Sequence, residues 1–181
     1  MAGGTEGKDA ELQLNATAAS LLGFLAAGPQ SGYTLAAHIE RSIGNFWNVT
    51  RSQIYRELRT LEAAGYVRVG KTGTRDRRPY ALTAAGRKAF DEWIARAPGD
   101  ANIRMPILLT VFFGDRLPAE TLSRILHAAR ERHAGRLAAY SGKLAKIEQE
   151  RPFPAKTARF GTMYEEMVLA WFASLEADGL M

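Results

Sequence analysis

The stretch VTRSQIYRELRTLEAAGYVRV, Val49 to Val69, changes its period part-way along, and that change decides the fold. Thr50 followed three residues later by Gln53 forms a capping box, in which each side chain satisfies a backbone N–H that the start of a helix leaves orphaned. Ile54, Leu58, Leu61 and the small Ala64 then recur at helical spacing and define one buried stripe. Gly65 supplies the positive φ that closes such a helix. Beyond it Tyr66, Val67, Arg68 and Val69 read as a β-strand, Gly70 to Arg78 as a polar loop carrying glycine and arginine, and Pro79 to Leu82 as a returning strand. The stretch is therefore a helix, a glycine stop and the first strand of a hairpin with a basic tip.

Upstream, the apolar run TAASLLGFLAA begins near Thr17 and ends at Gly28-Pro29, a short helix with a breaker behind it. SGYTLAAHIERSIG follows, with Tyr33, Leu35, Ile39 and Ile43 at approximately helical spacing. Downstream, Thr83 caps a helix AAGRKAFDEWIARA whose Phe90, Trp93 and Ile94 point to one side, before Pro98-Gly99. Three helices followed by a two-stranded wing form a winged helix-turn-helix, in which the third helix enters the major groove of duplex DNA and the hairpin runs along the backbone. Burying Ile54, Leu58 and Leu61 turns Ser52, Tyr55, Arg56 and Arg59 outward. Arginine pairs bidentately with guanine, glutamine with adenine, and a hydroxyl with either. Arg51, Ser52, Gln53 and Arg56 are thus the expected readers of base edges, although the capping box competes for Gln53. Tyr55 and Arg59 are expected on phosphate or sugar, and Lys71, Arg75, Arg77 and Arg78 of the wing on the phosphate track.

Charge placement agrees. The chain of 181 residues carries a formal net charge of +5, yet between Arg51 and Lys88 ten basic residues face three acidic ones, so the remainder is net negative. An apolar fraction of 46% and a charged fraction of 24% are those of an ordinary soluble globular protein. The absence of cysteine excludes disulfides, thiolate chemistry and zinc-finger ligation. The opening MAGGTEGKDAELQLN lacks the basic and apolar regions of a signal peptide. The longest apolar runs, such as MPILLTVFF at Met105 to Phe113, fall well short of the roughly 20 residues that cross a bilayer. A soluble cytoplasmic protein with no membrane partner is expected.

A second module begins near Ile103. PILLTVFF forms a short helix that stops at Gly114-Asp115, and Pro118 opens a helix that could run to about Glu150, too long to be stable alone in water. Steps of four and three along it place Leu126, Arg130, His133, Leu137, Tyr140, Leu144 and Ile147 in one seam, and such a seam requires another helix. Arg151-Pro152-Phe153-Pro154 breaks it, and a last helix from about Thr157 carries Phe160, Met163, Tyr164, Met167, Trp171 and Leu175. The expected class is mainly α with a small β-hairpin: a flexible N-terminus over 1–14, a winged helix-turn-helix over 15–97 and an all-helical dimerisation domain over 103–179. The seam and Trp171 are the expected dimer interface.

Several runs together resemble one family. Leu21-Leu22-Gly23-Phe24-Leu25 with Gly28-Pro29, Ser31-Gly32-Tyr33-Thr34-Leu35, Phe46-Trp47-Asn48-Val49, Gln53 to Leu58, Leu61 to Val67, and the wing's end Arg78-Pro79-Tyr80-Ala81-Leu82-Thr83-Ala84-Ala85-Gly86 resemble the PadR family of bacterial transcriptional regulators. Ile107 to Asp115 before a long helix resembles the C-terminal domain of its virulence-regulator-like branch. The resemblance implies a homodimer held by C-terminal helices that binds a palindromic operator and usually represses transcription. It also implies that Gly32, Tyr33 and Tyr55 lie near the DNA, with Tyr33 on its backbone, and that Lys71 and the following arginines form the wing. Some relatives respond to phenolic acids or hydrophobic drugs, so a small hydrophobic or aromatic effector is a further expectation, with Trp93, Tyr164 and Trp171 as its aromatic lining.

Other classes fare worse. The three histidines, His38, His127 and His133, make no metal-binding pair, and no Ser/His/Asp elbow or phosphate-cradling glycine motif occurs, so neither an enzyme nor a cofactor or metal site is expected. The remaining alternative is a winged helix used as a protein-interaction module without sequence-specific DNA binding.

Overall fold

The computed structural model describes residues 12–44, 46–70, 78–99 and 103–181, which divide between two compact units, 1–99 and 100–181. In the first unit, helix α1 (Ala16–Leu25) starts on Asn15, whose side chain accepts the Ala18 N–H. A two-residue strand β1 (Gln30–Ser31) leads into α2 (Gly32–Ile43), capped by Ser31, and α3 (Arg51–Ala63) follows. Strands β2 (Val67–Val69) and β3 (Pro79–Leu82) and helix α4 (Ala84–Ile94) complete it. The expected helices and wing strands are all present.

β1 is an addition to them. The sheet has three strands in the order β1-β3-β2, both pairs antiparallel, with Val67 opposite Leu82, Val69 opposite Tyr80, and Gln30 opposite the same Tyr80. Two residues are too few to show a period of two, so this strand left no pattern in the sequence.

One core holds the unit together. Leu21, Leu22 and Leu25 of α1, Leu35 and Ile39 of α2 and Ile54, Leu58 and Leu61 of α3 are buried with Tyr66 and Val67, and Phe90 and Trp93 of α4 pack on them. Ile94, expected beside Phe90, is exposed instead. Leu14 is buried in the same core and Leu12 packs against it, so the chain is anchored from Leu12 onward; the rest of the expected flexible N-terminus lies outside the described residues.

The end of α3 follows the expected chemistry. Gly65 has φ +73°, its N–H donates to the Glu62 carbonyl, and the Tyr66 N–H reaches back to the Leu61 carbonyl, a Schellman closure that fixes where β2 departs. Thr83 ties the far side of the hairpin to the same point. Its hydroxyl accepts the Gly86 N–H as the cap of α4 and lies 2.8 Å from the Gly65 carbonyl oxygen, to which it donates. Its own N–H donates to the Tyr66 carbonyl. Thr83→Val, which keeps the shape and removes the hydroxyl's bonds to Gly65, Tyr66 and Gly86, is expected to destabilise this unit by about 1.5 kcal/mol in urea unfolding.

In the second unit, α5 (Pro106–Phe112) and a 3-10 turn (Gly114–Arg116) precede α6 (Ala119–Glu150) and α7 (Pro152–Ala177). Pro118 is the N-cap of α6, one position earlier than expected. The break before α7 is a single residue, Arg151 (φ −146°, ψ 84°). Pro152 and Pro154 both fall in the first turn of α7, where a missing N–H costs nothing, so the helix begins at the first of them and not near Thr157.

The helix that the seam requires is supplied by the chain itself. Leu122, Leu126 and Ala129 of α6 are buried with Val168, Phe172 and Leu175 of α7. The step after Leu126 is three, to Ala129, and Arg130 is exposed. Farther along, Leu137, Tyr140, Leu144 and Ile147 are half-buried, and the Tyr140 ring lies so close to Gly161 that a Cβ there would stand 2.6 Å from Cζ. A three-and-four seam states that a helix must cover it and not which chain provides that helix.

Between the apolar layers sits a polar cluster. His133 and Glu165 are 9% and 3% exposed. His133 Nδ1–H donates to Glu165 Oε2 at 2.5 Å, and Arg136 Nε donates to Oε1 at 2.8 Å. The carboxylate only accepts, so the ring nitrogen that meets it carries a proton, and Arg136 Nη2 lies 2.7 Å from that Nδ1 and 3.0 Å from Nε2.

Candidate nucleic-acid interface

α3 begins as its sequence requires. The Thr50 N–H donates to Gln53 Oε1 at 2.9 Å and the Gln53 N–H donates to Thr50 Oγ1 at 3.2 Å. The Thr50 hydroxyl also lies 3.0 Å from Gln53 Oε1. The acceptor that would pair with adenine N6 is thus engaged at the helix start, and of the four expected base readers Gln53 is the least available.

Opposite the buried Ile54, Leu58 and Leu61, the side chains of Ser52, Arg56 and Arg59 are exposed along one face. Arg56 stands 3.6 Å from Glu57, but its side chain is 64% exposed, so the pair is weak and yields readily to a base or phosphate. Asn15 holds Glu57 from the other side, its amide donating to Oε2 at 3.2 Å. No acidic residue lies in the first turn of α3, so its N-terminal N–H groups and dipole suit a phosphate.

Arg51 and Tyr55 occupy one edge of this face and meet α2. The Arg51 guanidinium lies 5.2 Å from the centroid of the Tyr33 ring. Tyr55 rests against Gly32, where an added Cβ would stand 2.5 Å from Cε1, so only glycine lets α2 start this close to the α3 ring. Tyr33 and Tyr55 remain 48% and 40% exposed, and Tyr33 is therefore a surface residue of α2 and not a member of its buried stripe.

The wing contributes the exposed Arg78 at its return; Lys71, Arg75 and Arg77 lie outside the described residues. Tyr80 on β3 is half-buried and packs against the core. Burial, and then the Glu62 carboxylate, raise its phenol above the ordinary value, against the pull of Arg59 and Arg78. Sequence reasoning placed Arg51, Tyr33, Tyr55 and Gly32 near this surface separately; it missed that they meet in pairs and that β1 braces β3 beside them. Contacts between residues eighteen or more positions apart leave no local period.

The aromatic residues considered for an effector divide between the units. Trp93 packs on the first core, whereas Tyr164 and Trp171 pack on the second. The Tyr164 hydroxyl donates to Met105 Sδ at 3.4 Å, and burial, followed by Glu165, raises its phenol above the ordinary value. Trp171 is tilted on Phe172 with centroids 4.9 Å apart. Among the described residues, no helix is long and apolar enough to cross a membrane.

Comparison with known proteins places this geometry. Residues 21–92 match the transcriptional regulator PadR-like family, and residues 103–178 match the virulence activator alpha C-terminal family. The negative transcriptional regulator PadR of Bacillus subtilis (strain 168) is 26% identical over 132 residues, 71% of this chain and 72% of that protein. A probable transcriptional regulator of Mycobacterium tuberculosis, Rv1176c, is 46% identical over 68 residues, 36% of each chain. The crystal structure of B. subtilis PadR in complex with operator DNA superposes with a TM-score of 0.72 at 23% identity, covering 90% of this chain and 98% of that one. The same protein in complex with p-coumaric acid gives 0.68 at 21% identity, covering 90% and 98%. These structural likenesses speak for the fold. In order along the chain, the first unit thus carries a PadR-like transcriptional regulator domain and the second a virulence activator alpha C-terminal domain.

Proposed function

We propose that this regulator binds a palindromic operator in duplex DNA as a homodimer and represses nearby genes, with a small hydrophobic or aromatic molecule releasing it. The observation that carries the reading is the face of α3: Ser52, Arg56 and Arg59 exposed together on a helix that a capping box starts and a Schellman closure stops. Base contacts from this face would set specificity, and the wing's cations would set affinity and register. The B. subtilis relative PadR supports it, having been solved both with operator DNA and with p-coumaric acid. A cytoplasmic location, beside the chromosome, belongs to the same reading.

The second copy is argued from α7. Besides the stripe that faces α6, this helix carries Phe153, Phe160, Met163 and Met167 at steps of seven, three and four, all more than half exposed. In the same unit Leu109 and Phe112 of α5 and its C-cap Phe113 are exposed as well. A large apolar stripe on a helix that already buries its opposite side calls for a further helical partner. The interface is therefore proposed to centre on this second stripe, with Trp171 and the half-buried Leu137, Leu144 and Ile147 beyond the internal seam.

The direct test is a gel shift on the DNA upstream of the protein's own gene at several salt concentrations. Binding that falls steeply with salt is expected, since roughly three phosphates are neutralised per subunit. A folded protein that shifts no such DNA at low salt would sink the reading. Arg56→Ala is expected to lower discrimination at one base pair by about 1–3 kcal/mol, whereas replacing Arg75, Arg77 and Arg78 with alanine weakens all sequences about equally.

A further inference from the structure

Arg51 stands where a cation is least expected. It is the first residue of α3, at the positive end of the helix dipole, in a turn that holds no acidic side chain. Among the described residues no carboxylate pairs with it; what meets its guanidinium is the Tyr33 ring, at 5.2 Å from the centroid. That distance is within reach of a cation–π attraction, which arginine makes with the electron-rich face of an aromatic ring.

The choice of partner has a chemical consequence. A carboxylate would hold Arg51 through its N–H groups, two at a time, and so occupy the fork that recognises a base. A ring face restrains the guanidinium yet accepts none of those donors in line, so the fork stays available for guanine O6 and N7. The Tyr33 ring is in turn carried on the first turn of α2, whose approach to α3 is set by the contact of Tyr55 with Gly32. Part of the rotamer freedom that a long side chain would lose on binding is already lost in the free protein.

We infer that Tyr33 is a positioning residue, which holds Arg51 in place to read a guanine, so that the Tyr33–Arg51 pair is a determinant of operator specificity. This goes beyond the expected phosphate contact of Tyr33, and it rests on the DNA-binding reading given above.

The test uses the full-length protein. The wild-type chain selects a site from a random duplex library, and affinities for that site and its single-base-pair variants are measured for wild type, Tyr33→Phe, Tyr33→Leu and Arg51→Ala. Arg51→Ala is expected to lose about tenfold in discrimination at one base pair per half-site. Tyr33→Leu should lose most of the same discrimination at the same pair, and Tyr33→Phe, which keeps the ring face, should retain it. In the free protein, NMR should show the Arg51 side-chain protons shifted upfield by the ring in wild type and Tyr33→Phe and not in Tyr33→Leu. Uniform weakening on every sequence by both Tyr33 variants, with a shallower salt dependence, would make Tyr33 a phosphate contact and overturn the inference. A preferred site that Tyr33→Leu discriminates as well as wild type, or the absence of the upfield shift in wild type, overturns it alone. A selection that returns no preferred site overturns the DNA-binding reading and this inference with it.

Discussion

Glu165→Ala is expected to destabilise the helical unit by about 3 kcal/mol, because it removes the carboxylate that accepts from the buried His133 and, among the described residues, leaves the Arg136 guanidinium without a counter-charge. For a unit of this size the thermal midpoint should fall by about 15 °C, read by circular dichroism. The neighbouring Glu166 is exposed, and Glu166→Ala should change stability by less than about 0.5 kcal/mol. Replacing the whole cluster, with His133→Leu, Arg136→Met and Glu165→Leu together, should return most of the loss, since no charge is then left buried and unpaired. The account fails if Glu165→Ala alone stays within about 1 kcal/mol of wild type. The cluster is thus better understood as fixing the register of α6 on α7 than as adding to their stability.

Phe160→Asp combined with Met167→Asp is expected to convert the protein from dimer to monomer. Each side chain is more than half exposed on α7, at 65% and 58%, so the substitutions leave the internal packing of the unit intact and put two carboxylates into the proposed interface. A monomer engages one half-site at a time, which forfeits the effective concentration of a linked second site and should lower operator affinity by about 100-fold or more. Sedimentation velocity at micromolar concentration reads the first effect, and titration of a two-half-site duplex against a single half-site reads the second. A double variant that still sediments as a dimer rules out this stripe as the interface.

How much of this was legible in the sequence varies with the range of the interactions. The cap at Thr50, the stop at Gly65 and the cap at Thr83 depend on residues within a few positions, and each appears in the structure as read. The span of α6 to Glu150 was equally clear, because thirty-two residues of unbroken pattern leave little room for another assignment. The apolar residues of α7 were read as one set, yet they divide. Gly161, Glu165, Val168, Phe172 and Leu175 face inward, while Phe160, Met163 and Met167 face out. A helix with two apolar sides blurs its own period, and neither a glycine nor a glutamate announces itself as buried. Glu165 became visible only with its partners, twenty-nine and thirty-two positions away. At the proposed DNA face the residue types were readable, but their pairing across the turn between α2 and α3 was not.

The base of the wing separates its loop from the frame that carries it. Tyr66 donates to the end of α3 and accepts from Thr83, and the Gly70 N–H donates to the Pro79 carbonyl at 2.7 Å, so the two strands are clamped before the intervening segment begins. Insertions or exchanges of charge between the clamps then disturb little but loop-closure entropy, about 0.6 kcal/mol for each doubling of length. The proposed grip of the wing on the phosphate backbone is in that sense a replaceable attachment. Editing that one short segment is expected to change how tightly DNA is held while leaving α3 and its two caps in place.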